Sequence, residues 1–396
     1  MLESLKRWWP LVAILALAFN LRPVAVSIGP VLADISADIG LDGVTAGLLT
    51  ALPTACFAAF GALAPWASQR VGVVPTVSLG LVALIAGQAG RLVVGSPGAF
   101  LAFSALALAG MALANVLMPT LVRMHYPDRI GTATALYSLT LTLGVTTASA
   151  ATVPIAHALG GWRSSLVVWI ATGAIALAIW APFLLRARGG ARGSGQRVSL
   201  GLIARTRLGW ALAVLFGIQS AQAYSIFGWL PSVFQSAGLS EVDAGYMLGI
   251  ATGVGIVPAF AVPVLVARMT RPSRLFLGIM AFLIAGYIGL VIAPSTVPWL
   301  WAAFLALGQA SFPLVLALFG LRARTPGATA ALSGFAQSVG YGIAMLGPLS
   351  FGVLHEVTGT WAAPIAVQLA ACIPMIVAGL YACRPAMIED ELARLG

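Results

Sequence analysis

The sequence predicts an all-helical membrane protein of twelve spans, assembled as two six-helix halves. Three observations carry that prediction. The 396 residues are 60% hydrophobic and only 8% charged, with a mean hydropathy of +1.00, whereas a soluble domain carries roughly 25% charged residues. The apolar residues form repeated runs of the length that crosses a hydrocarbon layer, about 20 residues each. Matching residues recur about half a chain apart.

Taken in order, the runs cover 8–33, 44–67, 73–94, 98–122, 130–158 and 162–185 in the first half. They cover 208–235, 242–267, 275–293, 297–321, 327–354 and 361–383 in the second. The first starts behind Lys6 and Arg7 and runs on too far for the apolar region of a secretory signal, so it reads as a retained span. Between the halves lies a Gly/Ser/Arg-rich stretch, 186–207, whose composition suits a linker over an anionic lipid surface. The predicted organisation is therefore a bundle at 1–185, a basic linker at 186–207 and a second bundle at 208–396.

Charge sets the orientation, because cytoplasmic loops retain Lys and Arg. With the N-terminus inside, 18 of the 21 Lys and Arg residues fall on the cytoplasmic side, Arg91 and Arg163 fall outside, and Arg22 lies within a span. Both termini and the linker are thus expected in the cytoplasm, with the chain in the cytoplasmic, or inner, membrane. The net charge of +10 does not indicate nucleic acid, since the basic residues punctuate apolar runs and do not cluster on one folded face. Cys56, Cys372 and Cys383 have no paired or metal-like spacing. No nucleophile and base pair stands out, so neither an enzyme nor a cofactor is expected.

The halves repeat at a nearly constant offset. Gly40-Leu41 matches Gly238-Leu239, Pro65 matches Pro263, Arg70 matches Arg268, Gly110 matches Gly308 and His157 matches His355, each 198 positions apart. A six-helix unit is even in number, so the two halves insert with the same orientation.

Several motifs go beyond the repeat: Asn20-Leu21-Arg22-Pro23 and Gly29-Pro30 in the first span, Ala46 to Pro53 in the second and Asn115 to Pro119 in the fourth, with Tyr137-Ser138, Gly161-Trp162-Arg163, Trp229-Leu230-Pro231, Ala336 to Tyr341 and Gly347-Pro348. In these motifs the chain resembles the major facilitator superfamily and, within it, the cyanate and 2-nitroimidazole permeases. The resemblance implies the two-bundle fold, alternating access, and a central cavity lined by spans 1, 4, 7, 10 and 11. Two departures stand out. Gln69 occupies a place where the superfamily usually has an acidic residue, and the fifth span lacks the Gly-Pro pair of drug antiporters.

Arg22 is the first candidate for substrate contact. Fourteen positions beyond Trp8, it lies about 20 Å along a helix, near the middle of the bilayer. Every Asp and Glu falls outside the span cores, so an anionic solute is the natural counter-charge for the guanidinium fork. The alternative is that Arg22 bonds backbone carbonyls, including that of Phe19, which Pro23 leaves without a helical donor. Asn20, two positions away, does not share its face in a continuous helix. Asn115, Gln219, Gln222, Gln309 and Gln337 fall on the spans that the resemblance places around the cavity. Tyr137, Thr140, Tyr224 and Tyr341 could add hydroxyls, each with interhelical bonding as the competing role. His157 and His355 are read as capping or packing residues.

These features together point to a permease for a small, anionic solute such as cyanate or a carboxylate, acting in the bilayer as a monomer. The alternatives are export of a neutral nitroheteroaromatic or drug, and a transporter-like solute sensor.

Overall fold

Every break within a span lies just ahead of a proline, although other prolines sit inside continuous helices. The computed structural model describes residues 2–41, 43–187 and 198–395, and the regular structure of those residues is helical throughout. The first half holds α1 (Leu2–Asn20), α2 (Pro23–Val26), α3 (Leu32–Ile39), α4 (Gly43–Val71), α5 (Val73–Val93), α6 (Pro97–His125), α7 (Ile130–Leu159) and α8 (Trp162–Ala187). After α9 (Leu200–Ile203) come α10 (Arg207–Ser236), α11 (Glu241–Gly253), α12 (Ile256–Arg268), α13 (Ser273–Ile292), α14 (Pro298–Gly308) and α15 (Ser311–Leu321). The chain ends in α16 (Pro326–Ala344), α17 (Leu346–Thr358), α18 (Ala362–Ala382) and α19 (Ile388–Ala393). Ten stretches among the described residues have the length and apolar composition to cross a membrane. The 29-residue α4 and the pair α16–α17, interrupted at Met345, complete the set of twelve.

Four spans are interrupted: α1/α2, α11/α12, α14/α15 and α16/α17. Each interruption lies just ahead of a proline, Pro23, Pro258, Pro313 or Pro348. Proline has no N–H for the carbonyl four residues back and its ring crowds that carbonyl, here Phe19, Val254, Gln309 and Ala344. In the last three spans a glycine at 253, 255, 308, 342 or 347 adds backbone freedom beside the break.

Contacts divide the chain into two units. The first is Met1–Arg129, Leu136–Leu200 and Thr325–Gly334; the second is Ile130–Ala135, Gly201–Arg324 and Phe335–Gly396. In the first, α5 and α6 approach so closely that a Cβ on Gly110 would collide with the Gly80 carbonyl. In the second, a Cβ on Gly308 would lie 2.5 Å from Leu283 Cβ, where α13 meets α14. The matched glycines thus do the same work in each half, letting two helix backbones meet. Residues 188–197 of the expected linker lie outside the described residues. Its described end, at Val198, accepts a hydrogen bond of 2.6 Å from Gln69 Nε2.

At the C-terminus α19 is held by its own acidic residues. Arg324 reaches Asp390 through both terminal nitrogens at 2.5 and 2.9 Å, and its N–H donates to Glu389. Glu391 accepts from the Leu208 N–H at the start of α10 (3.1 Å) and from the Tyr381 hydroxyl (3.0 Å). A carboxylate at a helix N-terminus satisfies an otherwise unbonded N–H and meets the positive end of the helix dipole. Arg322, buried, donates to the Ala382 and Cys383 carbonyls behind it.

Replacing Glu391 by Gln is expected to lower stability by about 1 kcal/mol, the usual worth of such a cap, read as a fall in Tm. The Asp390 carboxyl is held below the usual carboxylate range by its hydrogen bonds with Arg324. A depressed pKa stabilises the folded form above the ordinary carboxylate range and loses that effect as pH falls through the folded value. The Tm difference between the parent and Asp390→Asn should therefore shrink on acidification.

Candidate substrate site

In the first unit the site is built around the break in the first span. The α1 ladder ends at Asn20, Leu21 and Arg22 form a turn, and α2 starts at Pro23 with Arg22 as its N-cap. The freed Phe19 carbonyl is approached by α7 at Gly144, where a Cβ would sit 2.5 Å from that oxygen. Only glycine admits this contact without displacing one of the two helices. Because residues three and four apart share a helix face, the α7 face that meets the break also carries Tyr137 and Thr140. Tyr137 is 1% exposed and its hydroxyl has no hydrogen-bond partner. Thr140 is half-buried, its hydroxyl bonded to the Leu136 carbonyl at 2.8 Å. Arg22 is half-buried, so its charge is neither sealed in packing nor fully open.

Asn20 turns the other way. Its amide nitrogen donates to the Ala16 carbonyl (2.9 Å), and its oxygen accepts from Thr172 Oγ1 on α8 (2.8 Å). The break therefore separates Asn20 and Arg22 as their spacing requires, one serving a neighbouring helix. Asn115 is buried on α6.

In the second unit Gln309 occupies the break between α14 and α15, where Pro313 leaves its carbonyl to a shorter turn closed by the Phe312 N–H at 3.0 Å. Its side-chain oxygen accepts from Gln219 Nε2 on α10 (3.0 Å), while its own Nε2 is buried with no partner. Ser220 donates to the Gln219 oxygen at 3.3 Å. Gln222 faces α18, donating to the Gln368 carbonyl (3.1 Å) and Cys372 Sγ (3.4 Å), and its oxygen has no partner. Gln337 is fully buried on α16, and Tyr341 packs edge-on against Phe216 with centroids 5.0 Å apart. Tyr224 is half-buried on α10. The second unit thus brings Gln219 to Gln309, and in the first Tyr137 and Thr140 share the α7 face that meets the break next to Arg22. No group of three or more His, Cys, Asp or Glu able to hold a metal occurs among the described residues.

The family model described as Major Facilitator Superfamily matches residues 9–348. The chain belongs to the Major Facilitator Superfamily. It is 31% identical to the 2-nitroimidazole transporter of Escherichia coli K12 over 94% of both chains. It is 26% identical to the cyanate transport protein CynX of the same organism, over 89% of this chain and 91% of that one. Its fold matches the structure of the proton:xylose symporter XylE with a TM-score of 0.77 over 99% of each chain, at 14% identity. As a superfamily member the chain is a secondary transporter and not an enzyme; it sits in the lipid bilayer and carries a small solute.

One departure from the superfamily pattern gains a physical reason. Gln69 donates an N–H to the Val198 carbonyl, and an ionised Asp or Glu in its place could only repel that oxygen. His355, at the matched position of His157, stacks flat on Trp361 at 3.6 Å and 6°, as packing requires. One buried charge differs from its expected placement. Arg91, expected in an external loop, closes α5 at 1% exposure and reaches the α2 backbone. Gly87 and Gly90 just before it, each with no room for a Cβ against α6, are the signal that α5 is buried to its last turn.

The Gln219–Gln309 pair allows a direct test in this superfamily member. Alanine at either position should lower stability, and a double-mutant cycle should return a coupling of about 0.6 kcal/mol, the average for such bonds in membranes. A coupling near zero by thermal unfolding in detergent would mean that the pair does not hold the break.

Proposed function

We propose that this transporter moves a small anion, such as cyanate or a small carboxylate, across the cytoplasmic membrane by alternating access, and that Arg22 selects the sign of the charge. The observation that carries the reading is a half-buried guanidinium at a proline-made helix break, in a span whose sequence puts it near the middle of the bilayer. An ionisable group at that depth is retained for function by default, and a guanidinium presents paired donors to a two-oxygen or linear anion. The span cores carry no carboxylate, so the local potential favours negative solutes over cations. Tyr137 and Thr140 would complete the contact from α7. In the second unit Gln219 and Gln309 would supply amide donors and acceptors, with Asn115, Gln337, Tyr224 and Tyr341 as further lining. Asn20 and Gln222, each engaged with a neighbouring helix, would act by holding the lining in place.

The similarity to a cyanate transport protein supports an anion. The greater identity to a 2-nitroimidazole transporter favours a second reading, a neutral planar solute whose nitro oxygens accept from the same fork. The two readings separate on Arg22. The dissociation constants of cyanate, benzoate and neutral 2-nitroimidazole are to be measured for folded, monodisperse parent, Arg22→Gln and Arg22→Lys. Loss of one charge-assisted hydrogen bond, roughly 1.5–3 kcal/mol, should weaken the anions about 10- to 150-fold in Arg22→Gln. Arg22→Lys should fall between, and 2-nitroimidazole should change little. Equal weakening of all three ligands, or no binding of either anion by the parent, would refute charge selection.

A further inference from the structure

We infer that Arg91 is a positioning residue for Arg22, a role that rests on the anion reading of the same site. The helical ladder of α2 ends with the Ser27 N–H on the Pro23 carbonyl at 3.0 Å. The next carbonyl, that of Val24, takes its donor from outside the span: Arg91 NH1 at 3.0 Å. The same guanidinium donates from Nε to Ser104 Oγ on α6 at 2.9 Å and lies 5.9 Å from the Phe100 ring. Arg91 is 1% exposed and Ser104 is fully buried, so the bracket is walled in and its geometry fixed.

The consequence follows from the size of α2. A helix of four residues has no cooperative stability of its own, and Pro23 has already cut it from α1. Its orientation is therefore set by what grips it, and Arg22, as its N-cap, turns with it. The grips are on either side of the turn: Gly144 against the Phe19 carbonyl before it, and Arg91 on the Val24 carbonyl within α2. An arginine suits the second place because its fork reaches two acceptors on two elements at once, which an ammonium point charge does less well. A guanidinium buried without a carboxylate is expensive, and the bonds to a backbone carbonyl and a hydroxyl are what offset that cost.

The test uses the full-length protein with Arg91→Gln, Arg91→Lys and Ser104→Ala, each alone and combined with Arg22→Gln. The readouts are Tm and the dissociation constants of 2-nitroimidazole and of whichever of cyanate and benzoate the parent binds more tightly. If Arg91 acts by aiming Arg22, Arg91→Gln weakens the anion about tenfold, the worth of one hydrogen bond to a charged group, and leaves 2-nitroimidazole within about twofold. Arg91→Lys and Ser104→Ala, which keep the charge but loosen the bracket, show smaller losses in the same direction. All three losses vanish in the Arg22→Gln background, because an effect exerted through Arg22 has nothing left to act on. Losses that add to that of Arg22→Gln, or that strike both ligands alike together with Tm, would overturn the proposal and leave Arg91 a purely structural brace. If Arg91→Gln does not fold, the two milder variants decide by the same criteria. Should Arg22→Gln itself leave the anion constant unchanged, the anion reading fails first, which is a distinct result from additive losses in a protein where Arg22 matters.

Discussion

Pro23 cannot donate to the Phe19 carbonyl, and most of what distinguishes the first unit answers that missing hydrogen bond. A polar backbone group left unbonded in hydrocarbon costs several kcal/mol, so the break is tolerated only where neighbouring helices close around it. Three do. At Gly144 α7 lies against the carbonyl itself, Thr172 on α8 bonds the Asn20 side chain just before the break, and Arg91 on α5 bonds the turn just after it. The result is an irregularity closed on by three helices, with Arg22 at the N-cap of α2. A continuous helix would have presented Arg22 at a depth and angle fixed by the 3.6-residue period alone.

The second unit uses the same device with different chemistry. Its breaks ahead of Pro258, Pro313 and Pro348 carry no charge, and the side chain placed at the middle one is Gln309, paired to Gln219. An amide offers both donors and acceptors, where the guanidinium at the first unit's break offers donors only. The unpartnered Nε2 of Gln309 is the kind of buried donor that an arriving solute oxygen would satisfy.

The spans and the two-half repeat were legible because they depend on quantities that sequence displays directly: apolar run length, and small residues at a fixed offset. Gly110 and Gly308 show this well, since both turned out to sit where two helix backbones meet. The position of Arg22 at the first break was marked in sequence by the proline that follows it. Direction around a helix was not. Gln219 and Gln222 lie three residues apart on α10, yet one meets the α14/α15 break and the other meets α18, a difference set by tertiary packing. Arg91 was missed because hydropathy assigns a charge at the end of a run to the loop. Only the depth of α5 beside α6 shows that this end is enclosed. Proline was ambiguous as well. Pro53, Pro65 and Pro119 sit inside unbroken helices, whereas Pro23 and Pro313 interrupt theirs.

On the anion reading proposed for Arg22, the proline-made break, and not merely the presence of an arginine, creates the site. Pro23→Ala restores the donor for the Phe19 carbonyl while leaving Arg22 in the chain, so the anion dissociation constant of that variant isolates the break. Affinity is expected to fall by about tenfold or more, equivalent to roughly 1.4 kcal/mol, in protein that remains folded and of equal or higher Tm. Parent-like anion affinity in folded Pro23→Ala would show that Arg22 needs no break to do its work, and would contradict the account.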